Sequence, residues 1–256
     1  MKKDYILVID SGIGGLSVLA QMLKLFCANF IYFADNKNCP YGARKRHEIV
    51  TFLTQIIDNL KQNYSIKIVV LACNTATTSA IEKLRNRYKD MIFVGTEPAL
   101  RLANKSNFGR ILAITTPTTA CQTKYKNLQK QLDSSIKTIA MPHFASNIEQ
   151  NITNPTILNA LRLKNDLFFI KNHAKNYDCI VLGCTHYAII KDKIAQFTDI
   201  PLIDGSLGVA CQTRKFQLCM HKQPTKKSKI IFMQSMQNSA SIQIYKKILS
   251  QILANL

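Results

Sequence analysis

The chain has 256 residues, 47% of them hydrophobic, and its 34 Lys and Arg against 15 Asp and Glu give a formal net charge of +19. That hydrophobic share excludes a disordered chain, and the length suffices for one large α/β domain or two small ones. No apolar run reaches the roughly 18 residues of a membrane span, so no membrane partner is expected. The eight cysteines include no C-x-x-C pair and the five histidines stand far apart, which sets a structural zinc site aside.

The opening "MKKDYILVID" carries a short apolar run that meets Asp10 and "GIGG" (12–15). It reads as a buried strand and not as a signal peptide. A cytoplasmic location with the cysteines kept as thiols is therefore expected.

Further along, helical periodicity in "GLSVLAQMLKLF" (15–26) leads to the strand "FIYFAD" (30–35) and a "CPYG" turn (39–42). The helix "RHEIVTFLTQIIDNLKQNY" (46–64), the strand "IKIVVLAC" (66–73), the helix "TTSAIEKLRNRYKD" (77–90) and the strand "IFVGT" (92–96) follow. Next come the strands "RILAIT" (110–115), "IKTIAM" (136–141) and "CIVLGC" (179–184), the helix "YAIIKDKIAQF" (187–197), the strand "PLID" (201–204) and a closing helix over 239–256. The segment 164–177 reads as helix or loop. Most strands are continuous apolar runs, as strands covered on both faces are, and their alternation with helices predicts an α/β fold with mainly parallel sheets.

Two phrases repeat. "VLACNTA" (70–76) and "VLGCTHY" (181–187) each end an apolar strand in a cysteine and then open a helix. Ligands of open α/β sheets bind beyond the carboxyl ends of strands. Two such units facing each other would set two thiols on opposite walls of one cleft. Cys27, Cys121, Cys179, Cys211 and Cys219 read instead as small space-filling residues, while Cys39 beside its Pro-Tyr-Gly turn stays open.

The charge admits a second class of protein, a nucleic-acid binder acting by counterion release. Its densest basic groups, "RKRH" (44–47) and "KQPTKKSK" (222–229), lack the interleaved aromatics of a single-strand platform. Nor does such a binder explain polar motifs at strand ends, so a nucleic-acid partner is not expected.

Those motifs, "DSGIGG" (10–15), "PYG" (40–42), "ACNTA" (72–76), "EPA" (97–99) and "GCTHY" (183–187), occur in an order that resembles the cofactor-independent glutamate racemases of the aspartate/glutamate racemase superfamily. The resemblance runs from about residue 5 to about 206 and is weaker over the last stretch. It implies two similar α/β domains, residues 1–97 plus 208–256 and 98–207, with the active site in the cleft between them. It also implies a glutamate substrate, no cofactor, a homodimer, and a supply of D-glutamate for bacterial peptidoglycan.

Racemisation removes the Cα proton on one face and returns a proton on the other, which asks for two acid/base groups; thiols can serve because their surroundings tune them. By resemblance Cys73 takes the proton from D-glutamate and Cys184 from L-glutamate, with Asp10 assisting the first thiol and His186 and Glu149 the second. Ser11, Tyr41, Gly42, Asn74, Thr75 and Thr185, with Asp10 and His186, occupy substrate-binding positions of the family, and Thr116 and Thr119 fall in its hydroxyl motif. Plainer readings stand beside these: Asp10 as a helix N-cap, Glu149 as a solvated helix residue, His186 as a satisfied core histidine, and Thr116 and Thr119 as turn residues capping a helix. The chain departs from the family at Asn38, where Arg is usual, at Thr115, where Gly is usual, and at Gln122, where Ser is usual.

Overall fold

A computed structural model describes residues 3–218, 227–236 and 239–256, so Cys219 and most of the basic run 222–229 lie outside the described residues. The chain divides into two compact units, Met1–Thr96 with Ser206–Leu256, and Glu97–Gly205.

The first unit begins with β1 (Asp4–Asp10), α1 (Leu16–Leu25), β2 (Asn29–Ala34), a 3-10 turn (Tyr41–Ala43), α2 (Arg46–Asn63), β3 (Ser65–Leu71), α3 (Asn74–Arg87) and β4 (Ile92–Gly95). The second unit holds α4 (Leu100–Lys105), β5 (Arg110–Thr115), α5 (Pro117–Cys121), α6 (Thr123–Lys130), β6 (Ser135–Ala140), α7 (Phe144–Thr153), α8 (Ile157–Ala174), β7 (Cys179–Gly183), α9 (Thr185–Ile189), α10 (Lys191–Ala195) and β8 (Leu202–Ile203). The chain then completes the first unit with α11 (Ser206–Gln217), β9 (Lys229–Gln234) and α12 (Ser239–Asn255).

Both sheets are parallel. The five-stranded sheet runs β4-β3-β1-β2-β9 and the four-stranded sheet β6-β5-β7-β8. In each, the unit's second strand is added on one side of its first and the third strand on the other. The connections therefore diverge between β1 and β3 in one unit and between β5 and β7 in the other. Such a switch point leaves a crevice at the carboxyl ends of the strands.

Successive side chains of a strand point to opposite faces. Tyr5, Leu7 and Ile9 of β1 join Val69 and Leu71 of β3 in one buried cluster with Ile49, Leu53 and Ile57 of α2 and Ile81 and Leu84 of α3. On the first unit's other helices, α1 packs against α11 and α12. In the second unit Ile111 and Ala113 of β5, Cys179 and Val181 of β7, and Leu100 of α4 form a separate core with Tyr125 and Leu128 of α6.

Several elements differ from the sequence reading. The helix expected over 187–197 is two short helices, α9 and α10, that meet at Ile190. The segment from 164, open in that reading between helix and loop, is the second half of α8. The strand β9 was not expected; it pairs with β2 from Asn29↔Lys229 to Ala34↔Gln234. Of the cysteines read as space fillers, Cys179 is buried, but Cys27, Cys121 and Cys211 are exposed, so packing does not account for those three.

Candidate active site

The first unit's residues gather where β1 and β3 end side by side. Asp10, the last residue of β1, is fully buried. Its Oδ1 accepts the Gly12 N–H at 2.7 Å. It thus holds the loop before α1 and does not cap that helix, whose N-cap position is Gly15. The Tyr32 hydroxyl donates to the Gly12 carbonyl at 2.7 Å from the neighbouring strand. A Cβ on Gly15 would stand 2.8 Å from the Asp10 Cβ and 3.0 Å from the Ala72 Cβ, closer than side chains tolerate. Glycine is what lets this loop, with the buried Ser11, press onto the ends of β1 and β3.

Cys73 comes two residues after β3, in extended backbone, at the N-cap position of α3. Its Sγ accepts the Ala76 N–H at 3.5 Å. Amide donors at a helix N-terminus favour negative charge, so the position stabilises a thiolate. Asn74 and Thr75 open the helix and are buried beside it.

Tyr41 begins the turn that follows Pro40. Its hydroxyl donates to Asp35 Oδ2 at 2.6 Å, and Asn38 Nδ2 donates to both Asp35 oxygens at 3.0 Å. Burial, then the charges of Asp35, Cys73 and Asp10, hold the phenol well above its ordinary range, which keeps it a neutral donor. Gly42 is the next residue of the turn and is half-buried. Asp35 is fully buried, and its N–H donates to the Asp10 carbonyl at 2.9 Å. Sequence reasoning passed over Asp35. An acid at a strand end ahead of the Pro-Tyr-Gly turn was the available signal.

The second unit repeats the arrangement with other partners. Cys184 directly follows β7, in extended backbone at the N-cap position of α9. Its Sγ lies 3.9 Å from His186 Nδ1, and His186 Nε2 lies 2.7 Å from Glu149 Oε2 on α7. Glu149 is therefore paired and its side chain is only 15% exposed, which overturns the solvated reading. His186 is buried, as the plainer reading has it, but between a thiol and a carboxylate. With Nε2 held by Glu149, the ring presents Nδ1 to the sulfur. Thr185, the first residue of α9, is buried as well.

At the end of β5, Thr116 Oγ1 accepts the Thr119 N–H at 3.3 Å and donates to Thr119 Oγ1 at 3.1 Å. Both residues are buried, and Thr116 caps α5 as the plainer reading expects. Gly183 is confined like Gly15: a Cβ on it would meet Thr115 Cγ2 at 2.5 Å and the Ile114 carbonyl oxygen at 2.8 Å. Thr115, where the family usually has Gly, is the residue that fills the space alongside.

Each parallel α/β unit thus presents a cysteine at its switch point and at the head of a helix, and the second cysteine has an imidazole beside it. Residues 6–210 match the model of the Asp/Glu/Hydantoin racemase family, and the chain belongs to that family. It is similar to a glutamate racemase of Clostridium acetobutylicum, 37% identical over 225 residues that cover 84% of each chain. Another of Clostridium novyi is 36% identical over 252 residues, 95% of this chain and 96% of that one. Among solved structures, an Escherichia coli glutamate racemase bound to L-glutamate and the activator UDP-MurNAc-Ala is 25% identical, with a TM-score of 0.80 over 98% of this chain and 95% of that one.

Proposed function

We propose that this protein is a glutamate racemase that interconverts L- and D-glutamate with two cysteines and no cofactor, and that it supplies D-glutamate for peptidoglycan in the cytoplasm. The observation that carries this reading is the equivalence of Cys73 and Cys184, each standing just beyond the third strand of its own sheet and at the head of a helix. The relatives' shared activity supports the choice of substrate.

Starting from D-glutamate, the Cys73 thiolate takes the Cα proton and becomes a thiol. The electron pair left on Cα delocalises into the α-carboxylate, where neutral donors stabilise the growing charge. Ser11, Asn74, Thr75 and Thr185 are the donors assigned to this work, with Tyr41 kept protonated by its surroundings. The Cys184 thiol then delivers its proton to the opposite face and is left as a thiolate. From L-glutamate the two sulfurs exchange roles. His186, oriented by Glu149, holds or releases the Cys184 proton, and Asp10 serves the Cys73 side.

Incubation with L-glutamate in deuterated water tests the reading. Deuterium at Cα of both enantiomers, without added pyridoxal phosphate, is the expected result, and Cys73→Ala or Cys184→Ala abolishes interconversion. No interconversion by the wild type, or full activity in both variants, would overturn it.

A further inference from the structure

Five of the eleven large hydrophobic side chains exposed among the described residues lie on α8: Ile157, Leu158, Leu161, Phe168 and Phe169. Ile157 is the extreme, 83% exposed. The helix already buries a full face through Leu163, Leu167, Ile170 and Ala174. It therefore carries a second apolar face, turned outward. At about 3.6 residues per turn, Ile157, Leu161 and Phe168 run along one half of the outward side and Leu158 and Phe169 along the other, with Asn165 and Asn172 between them. Lys164 and Lys171 border this outward side at the Ile157 edge and Arg162 at the Phe169 edge, all three exposed. Asp166, the acidic residue of α8, accepts a hydrogen bond from Asn147 of α7 at 2.7 Å. The outward face thus carries five large apolar side chains around two asparagines, with cationic margins.

We propose that α8 seats the protein on an anionic lipid surface, lying in the headgroup plane with Ile157, Leu161 and Phe168 inserted and Lys164, Lys171 and Arg162 on the phosphates. Eighteen residues make a helix about 27 Å long, enough to lie in the interface. An apolar face beside Lys and Arg is the pattern of helices that rest on membranes, and anionic lipid adds attraction for every cation near the surface. The net charge of +19 acts in the same direction. None of the described helices is long and apolar enough to cross a membrane, and a helix lying in the interface needs no such span. Charge also decides against a second copy as the occupant. In an antiparallel helix pair like edges meet, so Lys164 and Lys171 would face the same lysines of the copy.

Flotation of the full chain with vesicles tests the proposal and is independent of the reaction, because it is read without substrate. The protein floats with vesicles of phosphatidylglycerol and phosphatidylcholine, at least tenfold less with phosphatidylcholine alone, and less as salt rises. The triple change Ile157→Ser, Leu161→Ser, Phe168→Ser lowers binding at least tenfold. So does Lys164→Glu with Lys171→Glu, given about fivefold per cation near the surface. Circular dichroism and racemisation in solution stay unchanged in the charge variant, whose two sites are solvent-exposed. Absence of flotation, or flotation that persists in both variants, would overturn the proposal. So would a dimer in sedimentation that the triple change dissociates, since the face would then belong to a second copy.

Discussion

His186 and Glu149 are bonded at 2.7 Å although 37 residues separate them, and the imidazole's other nitrogen faces the Cys184 sulfur. In the proposed mechanism the carboxylate fixes the ring's orientation and the imidazole handles the Cys184 proton. His186→Asn is therefore expected to lower kcat by about 10²- to 10⁴-fold, the usual worth of a positioned acid/base group. Glu149→Gln keeps a hydrogen-bonding group and is expected to cost about tenfold. Steady-state kinetics in both directions checks this, and unchanged kcat in both variants would remove the relay.

Asp35 is the acceptor that holds Tyr41 and Asn38 together. In Asp35→Asn, one new amide N–H₂ has to face a donor in place of an acceptor. Leaving such buried groups unpaired costs about 1–3 kcal/mol. The expected outcome is that loss in urea unfolding, together with a KM for glutamate that rises more than kcat falls, if the Tyr41–Gly42 turn binds the substrate as proposed.

Tyr125 answers to pH. Burial pushes its phenol up to about 12, against an ordinary 10.0, and its hydroxyl lies 2.8 Å from Thr138 Oγ1. Here the folded state holds a proton that the unfolded chain releases. The stability it contributes is complete below pH 10.0 and is lost as pH rises from there to about 12. The slope reaches about 1.4 kcal/mol per pH unit. Unfolding midpoints measured across this window should fall more steeply in the wild type than in Tyr125→Phe; parallel curves would refute the assignment.

Gly183→Ala drives a methyl group onto Thr115 and the Ile114 carbonyl. Overpacking of this kind costs about 1–3 kcal/mol. Adding Thr115→Gly, the family's usual residue, removes the side-chain half of the clash but leaves the carbonyl half. Partial recovery of the melting temperature is expected in the double variant, and additive losses would show that the two positions do not compete for space.

The interior strands were legible because burial on both faces writes unbroken apolar runs, as in "YILVID" and "CIVLGC". The strand β9 lies at a sheet edge with half-exposed residues, directly after a lysine-rich run, so it offered no comparable signal. The second half of α8 was ambiguous because apolar residues on two opposite faces blur the helical period. Cys73 and Cys184 stood out from the repeated phrase itself, whereas Asn74, Thr75, Thr185 and His186 were singled out by family resemblance. Asp35 was passed over because an acid at a strand end ahead of a turn is a faint signal until the chain folds Asn38 and Tyr41 back onto it. Glu149 entered by family resemblance alone, its pairing with His186 being a tertiary event.

Cys73 and Cys184 each hang from an interior strand, and each strand belongs to a different hydrophobic core. The two sulfurs are in that sense insured separately. In the proposed two-thiol mechanism, a lesion that loosens β7 would cost the catalyst one hand while β3 still steadied the other. Such a protein could still swap a substrate hydrogen for one from solvent, yet it would have lost the means to turn the molecule into its mirror image.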